Sequence, residues 1–188
     1  MAVTLTNIES IVRNLIGDDS HTMSPGDIFI YSTSAVFTLT ESSVISVSTV
    51  LHNDAELGSG EWSYDSDTNK VTVSASLTSS DIIEIRYTYY PNYSVTEIQN
   101  QVKSAISHLS INNYKTWIIQ NDTIFPEPEE REKNLIGVIA SILINPPIQV
   151  YRLPDITLNY PREINMHDKI SKTISIFKKN VHGVFDII

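Results

Sequence analysis

Apolar residues near the start of the chain recur at Ile8, Ile11, Val12, Leu15 and Ile16, the spacing of a helix with one buried face. Thr6 and Glu9 stand at capping-box spacing before that stripe, and Gly17 is a natural stop, since glycine takes up the left-handed conformation after a last turn. From Asp27 to Tyr90 the period changes. Short β-branched and aromatic runs at Ile28–Tyr31, Ala35–Leu39, Val44–Leu51, Glu61–Tyr64, Val71–Ser74 and Ile82–Tyr90 are separated by polar turns, which predicts a small antiparallel sheet, sandwich or barrel. In the last run Ile83, Ile85, Tyr87 and Tyr89 alternate with Glu84, Arg86 and Thr88, so one face is buried and the other meets water.

After Pro91 the helical period returns. Ser94 and Glu97 form a second capping-box signature, with Tyr93 and Ile98 spaced as a hydrophobic staple, so a helix is predicted from Val95 with Ile98, Val102, Ala105, Ile106 and Leu109 as its buried stripe. A loop containing Tyr114, Trp117 and Pro126 leads to a third helix beginning near Pro128. Its body, Leu135 to Ile144, is apolar on nearly every side and has to be surrounded. Asn145-Pro146-Pro147 ends it, because proline cannot continue the hydrogen-bond ladder. An extended segment with Pro154 and Pro161 follows, then a last helix from about Met166 to Lys179 with Ile170, Ile174 and Phe177 on one face. The terminal Val184 to Ile188 is apolar and extended in character.

The expected fold class is α+β: a helical core of about four helices with a small antiparallel β-sandwich or barrel inserted after the first helix. Residues 1–25 and 91–188 make the core and residues 26–90 the insertion, with the first helix packing against the later ones.

Composition sharpens this picture in two ways. The 188 residues are 41% hydrophobic, enough to fold as one sizeable domain or a core with a smaller lobe, and with no cysteine there is no disulfide, thiol nucleophile or thiolate metal site. The formal charge of −9 is uneven: twelve acids meet three bases through Tyr90, and ten meet ten from Pro91 onward. An acidic chain argues against a broad nucleic-acid-binding surface, which needs clustered Lys and Arg. The opening residues lack the basic start and long apolar stretch of a secretory signal, and the Leu135–Ile144 run is too short to span a bilayer, so a soluble protein without membrane contact is expected.

Candidate chemistry is sparse. Asp65, Asp67 and Asn69 alternate like the first ligands of a calcium loop, but Lys70 stands where the glycine belongs and Ser76 where the bidentate glutamate belongs, so a hairpin turn is the expectation. Asp18, Asp19 and His21 read as a solvated loop. His21, His52, His108, His167 and His182 are possible bases, yet no Gly-x-Ser-x-Gly elbow, His-Glu-x-x-His helix or phosphate-cradling glycine loop accompanies them. Glu127, Glu129, Glu130 and Glu132 fit the positive end of the third helix. Lys169, Lys172, Lys178 and Lys179 give the last helix a basic side that suits an acidic neighbour, a phosphate, or simply solvent. No catalytic, cofactor-binding or metal-ligating residue is assigned, and no enzyme is expected.

The apolar third helix and the apolar tail both point toward assembly, because an extended tail can add a strand to a neighbouring sheet. The candidate assembly contacts are Val184, Phe185, Ile187, Ile188, Lys169, Lys172, Lys178 and Lys179.

Taken together, the Tyr93–Leu109 helix, the Pro128–Ile144 helix and the last lysine-bearing helix resemble the head-to-tail connector, or adaptor, proteins of tailed bacteriophages. The β block, especially Tyr64–Tyr90, is similar to modules embedded in phage virion proteins, and it is an addition to the compact helical adaptors. The resemblance implies a virion protein, assembled in the host cytoplasm, that forms a ring in the neck, commonly dodecameric. Its partners are further copies of itself, the portal protein and tail or other neck proteins, with DNA passing transiently through the channel. No catalytic residue carries over. An acidic surface facing that channel would discourage DNA from sticking. The alternative is a β-sandwich binding module of a decoration or receptor-binding protein, with Trp62, Tyr64, Tyr87, Tyr89 and Tyr90 as stacking surfaces.

Overall fold

In the computed structural model, which describes residues 2–179 and 183–186, the first apolar stripe folds as helix α1 (Leu5–Ile16). Its start lies two residues earlier than the Thr6/Glu9 spacing predicts. Thr4 is the N-cap, and Asn7 Oδ1 accepts from the Thr4 backbone N–H at 2.8 Å and from its hydroxyl at 2.9 Å. Glu9 is free of capping duty because it is turned into the protein, where it is buried. Gly17 ends the helix at φ 71°, as its position predicts.

Two compact units follow from the chain contacts, one comprising Met1–Asp18 with Val95–Ile188 and the other Asp19–Ser94. Among the described residues the fold mixes four α-helices with several small, mainly antiparallel sheets. No helix among them is long and apolar enough to cross a membrane.

The Asp19–Ser94 unit contains β1 (His21–Thr22), β2 (Asp27–Ile30), β3 (Val36–Thr38), β4 (Val44–His52), β5 (Ala55–Glu56), β6 (Trp62–Asp65), β7 (Lys70–Val73) and β8 (Ile82–Tyr89). One sheet runs β1-β8-β4-β5, with β2 also pairing antiparallel to β8; a second runs β3-β7-β6. Both contribute to a single core: Val50, Ile83, Ile85 and Tyr87 from the first sheet meet Phe37, Val71 and Val73 from the second. The alternation in β8 is as expected, with Ile83, Ile85 and Tyr87 fully buried. His21 and Thr22 belong with this unit because they pair with Tyr89 and Thr88. Asn53 and Asp54, both at positive φ, make the tight two-residue turn between His52 and Ala55.

The other unit packs α1 against α2 (Val95–Ile111) and α3 (Glu130–Ile144), and α3 in turn against α4 (Met166–Lys178). Helix α2 begins at Val95 and buries the five predicted residues. The predicted Tyr114–Pro126 loop is instead largely a hairpin, β9 (Ile118–Gln120) with β10 (Thr123–Phe125), turned by Asn121 and Asp122 at positive φ. Its backbone also joins the chain start, through Leu5 N–H to Asp122 O at 2.8 Å and Ile124 N–H to Val3 O at 2.9 Å. The segment after the prolines is likewise a hairpin, β11 (Val150–Arg152) with β12 (Ile156–Asn159). A last strand, β13 (Gly183–Asp186), adds to β12 in parallel.

Candidate assembly surface

The sequence offered α3 and the tail as reasons for assembly, and the two fare differently. Asn134 to Ile142 of α3 are all buried within this one chain, under α1, α2 and α4. A close approach makes this cover possible: at Gly137 an added Cβ would lie 2.6 Å from Ile11 Cγ2. Over Asn134–Ile142 helix α3 therefore exposes no apolar face, while Leu143 and Ile144 at its end are half-buried.

The described part of the tail, expected to add to a neighbouring sheet, is paired within its own chain. Ile156, Thr157, Leu158 and Asn159 of β12 align with Gly183, Val184, Phe185 and Asp186. Gly183 N–H reaches Asp155 O at 3.1 Å, and Asn159 Nδ2 donates to Asp186 Oδ1 at 2.8 Å. The attachment is mostly main chain, since Val184 is 69% exposed and Phe185 half-buried. Ile187 and Ile188 lie outside the described residues.

The lysines divide as well. Lys169 is 2% exposed and forms no part of a basic surface. Its Nζ donates to the carbonyl of Pro146 and, at 2.7 Å, to that of Ile148, and it lies 5.3 Å from the centre of the Tyr160 ring. Burial lowers its pKa below the ordinary lysine value. The physical reason is that Pro146 and Pro147 end α3 and leave carbonyls inside the fold that need a donor, and α4 supplies one. Lys178 donates to Asn112 O at 2.9 Å and is exposed with Lys179; Lys172 is half-buried. The outward basic residues are thus fewer than the helix sequence suggests.

Where α2, α3 and α4 come together, a cleft of about 480 Å³ is lined by Asn113, Tyr114, Glu129, Arg131, Phe177 and Lys178, with Glu132. Its charges are already matched: Lys115 Nζ meets Glu132 at 2.7 Å, Arg131 meets Asp155 at 2.8 Å, and the Arg131 guanidinium lies 5.0 Å from the Phe177 ring centre. Glu129 is the N-cap of α3, and Glu132 accepts its N–H at 2.9 Å. The acidic group therefore serves the helix start, as its placement predicts.

One polar cluster was not legible. Asp18, read as part of a solvated loop, is 1% exposed because Arg13 reaches it, and the same guanidinium meets Glu9 at 2.9 Å. Half-buried Gln99 of α2 donates to buried Glu9 at 3.2 Å, tying α1 to α2. Asp19 and His21 are exposed, as a loop reading expects.

In the sheet unit, Asp65 accepts from Asp67 N–H at 3.0 Å and Thr68 Oγ1 at 2.7 Å, and Asn69 sits at φ 56°, which is turn chemistry. Asn69 Nδ2 donates to Glu41 O at 2.7 Å, so it faces the fold. Of the aromatic residues of the binding-module alternative, only Tyr87 is fully buried, and Trp62, Tyr64, Tyr89 and Tyr90 are half-buried. The Tyr87 hydroxyl donates to Asp27 at 3.0 Å, and Trp62, Tyr64 and Tyr89 pack against the core.

The charge divides by unit nearly as it does by sequence half. Asp19–Ser94 holds ten acids and two bases, a net of −8, and the remainder twelve acids and eleven bases, a net of −1. No family model matches the chain, and no curated protein matches it.

Proposed function

We propose that the protein is a non-enzymatic virion component that forms a ring in the neck of a tailed phage, joining the portal to the tail while DNA passes through. In this reading the helical unit is the adaptor core and the acidic sheet unit is a module inserted after its first helix. The observation that supports it is strand β13, which among the described residues lies at the edge of a three-stranded sheet and is held largely by main-chain pairing. A strand held this way leaves an open edge to which a neighbouring subunit can add, and a ring needs heterologous contacts that close by rotation. The −8 of the sheet unit agrees with a lumen from which DNA is repelled.

The test is binding of the full chain to purified portal complexes, followed by particle imaging, with a second protein lacking residues 181–188. The reading expects rings seated on the portal that weaken without the tail. Glycan binding without portal binding would favour the decoration or receptor-binding alternative instead.

A further inference from the structure

The sheet built from β11, β12 and β13 has two open edges among the described residues, because β11 and β13 each pair only with β12. Along a strand, alternate residues turn their main-chain groups toward one neighbour or the other. Leu153 N–H reaches Ile156 O at 2.9 Å and Tyr160 N–H reaches Gln149 O at 2.7 Å, so Gln149, Tyr151 and Leu153 face β12. The N–H and C=O groups of Val150 and Arg152 therefore point out of the sheet. On the opposite side Gly183 N–H reaches Asp155 O at 3.1 Å, so Gly183 and Phe185 face β12 and the main-chain groups of Val184 and Asp186 point outward.

Direction and local charge select what each edge fits. β11 is antiparallel to β12 and β13 is parallel to it, so β11 and β13 run oppositely. Laid beside β11 of a second copy in the same orientation, β13 thus forms an antiparallel ladder, with Val184 opposite Arg152 and Asp186 opposite Val150. Asp186 and Arg152 are then diagonal neighbours on one face, within reach of each other. Both are exposed, and neither forms an ion pair with a described residue; Asp186 accepts from the neutral amide of Asn159 at 2.8 Å. Joining like edges in the matching register would set Asp186 diagonal to Asp186, or Arg152 diagonal to Arg152, and unlike edges avoid that repulsion. A second copy therefore carries the complement of each edge in strand direction, in main-chain groups and in charge.

We propose that β13 of one copy pairs antiparallel with β11 of the next, so that the sheet continues from subunit to subunit. Val184 exchanges main-chain hydrogen bonds with Arg152 of the next copy, and Asp186 with Val150. On the other face Phe185, half-buried within one chain, gains the next copy's Tyr151 as a neighbour. The contact joins two different edges, so every subunit gives one and receives one, and repetition closes a ring or extends a filament. This inference rests on the ring reading above and names the strand to which β13 adds.

The chain contains no cysteine, so introduced thiols report directly. Full-length Val184→Cys protein is mixed with Arg152→Cys protein and oxidised mildly, beside a mixture of Val184→Cys with Lys103→Cys, a change at an exposed position of α2, as control. Within one chain residues 152 and 184 are two strands apart, about 10 Å, which is too far for a disulfide. The Val184→Cys/Arg152→Cys double variant therefore links only between copies. The expected result is a heterodimeric disulfide at least roughly tenfold over the control, and a ladder of multimers from the double variant. In the cysteine-free background, Asp186→Lys and Arg152→Glu each weaken association by roughly three- to tenfold, and the two together restore it, read by native mass spectrometry across a concentration series. Closed oligomers with no such cross-link, or no recovery on exchanging the charges, overturn this contact and leave the ring reading standing. Cross-links solely between Val184→Cys copies overturn the pairing of unlike edges. A monomer at every concentration overturns both.

Discussion

Gly137 of α3 lies directly against Ile11 of α1, close enough that a Cβ at residue 137 would come within 2.6 Å of Ile11 Cγ2. Alanine is favoured over glycine in a helix by about 1 kcal/mol. Here the contact with a stiff β-branched side chain outweighs that gain, so Gly137→Ala is expected to destabilise by about 1–2 kcal/mol. Ile11→Ala in the same protein should recover part of the loss. Urea denaturation of the two single variants and the double variant measures the coupling, and simple additivity would contradict the assigned contact.

Arg13 is the shared partner of the buried carboxylates of Glu9 and Asp18. Replacing it by methionine keeps much of the volume but leaves two carboxylates in the interior without its charge. The expected loss is about 3–5 kcal/mol, read from the denaturation midpoint. Exposed Asp19 is the comparison: Asp19→Ala should change stability by about 0.5 kcal/mol or less.

Asp81 accepts from Thr78 N–H at 2.7 Å and Asn53 Nδ2 at 2.9 Å, with His52 Nε2 2.8 Å away, and these donors hold its carboxyl well below the usual carboxylate range. The folded state thus binds this proton less tightly than the unfolded one. The resulting stability is fully present above about pH 4 and is lost as the pH falls below it. Asp81→Asn has no proton to gain, so its stability should fall less steeply than the wild type's in acid. Equal slopes in chemical denaturation from pH 5 to pH 2 would contradict this.

Lys169 and Lys179 lie close in sequence on the last helical segment and should behave differently. Lys169→Met leaves the carbonyls of Pro146 and Ile148 without their donor and is expected to cost about 1–3 kcal/mol. Exposed Lys179→Ala should be thermally silent to within about 0.5 kcal/mol. Thermal melts of both distinguish a buried clasp from a surface charge.

The difference between these lysines also marks how far the chain could be read in advance. The stripe of α2 was legible residue by residue, because Ile98 to Leu109 face one direction and the helix period alone decides it. Strand β8 was legible for the same reason with period two. The short hairpins were not: β9 and β10 have three residues each, too few to show a period, and only Asn121-Asp122 between β-branched runs signalled the turn. Asp18 and Lys169 were misplaced because charge reads as solvent exposure until the partner is known; for Asp18 it is Arg13, only five residues away across the end of α1. For Lys169 that partner is a pair of carbonyls 23 and 21 residues away, which no side-chain pattern encodes. The Ile28–Tyr31 run was read only as a strand; that Ile28 and Ile30 face outward on the same side as Ile82 follows from its pairing with β8.

Native mass spectrometry of the full chain across a concentration series tests the central claim most directly. The ring proposal predicts a single closed oligomer whose mass is a fixed multiple of 21.1 kDa, dodecameric if the connector resemblance holds. A mass of 21.1 kDa at every concentration, alone and with portal complexes, would contradict it.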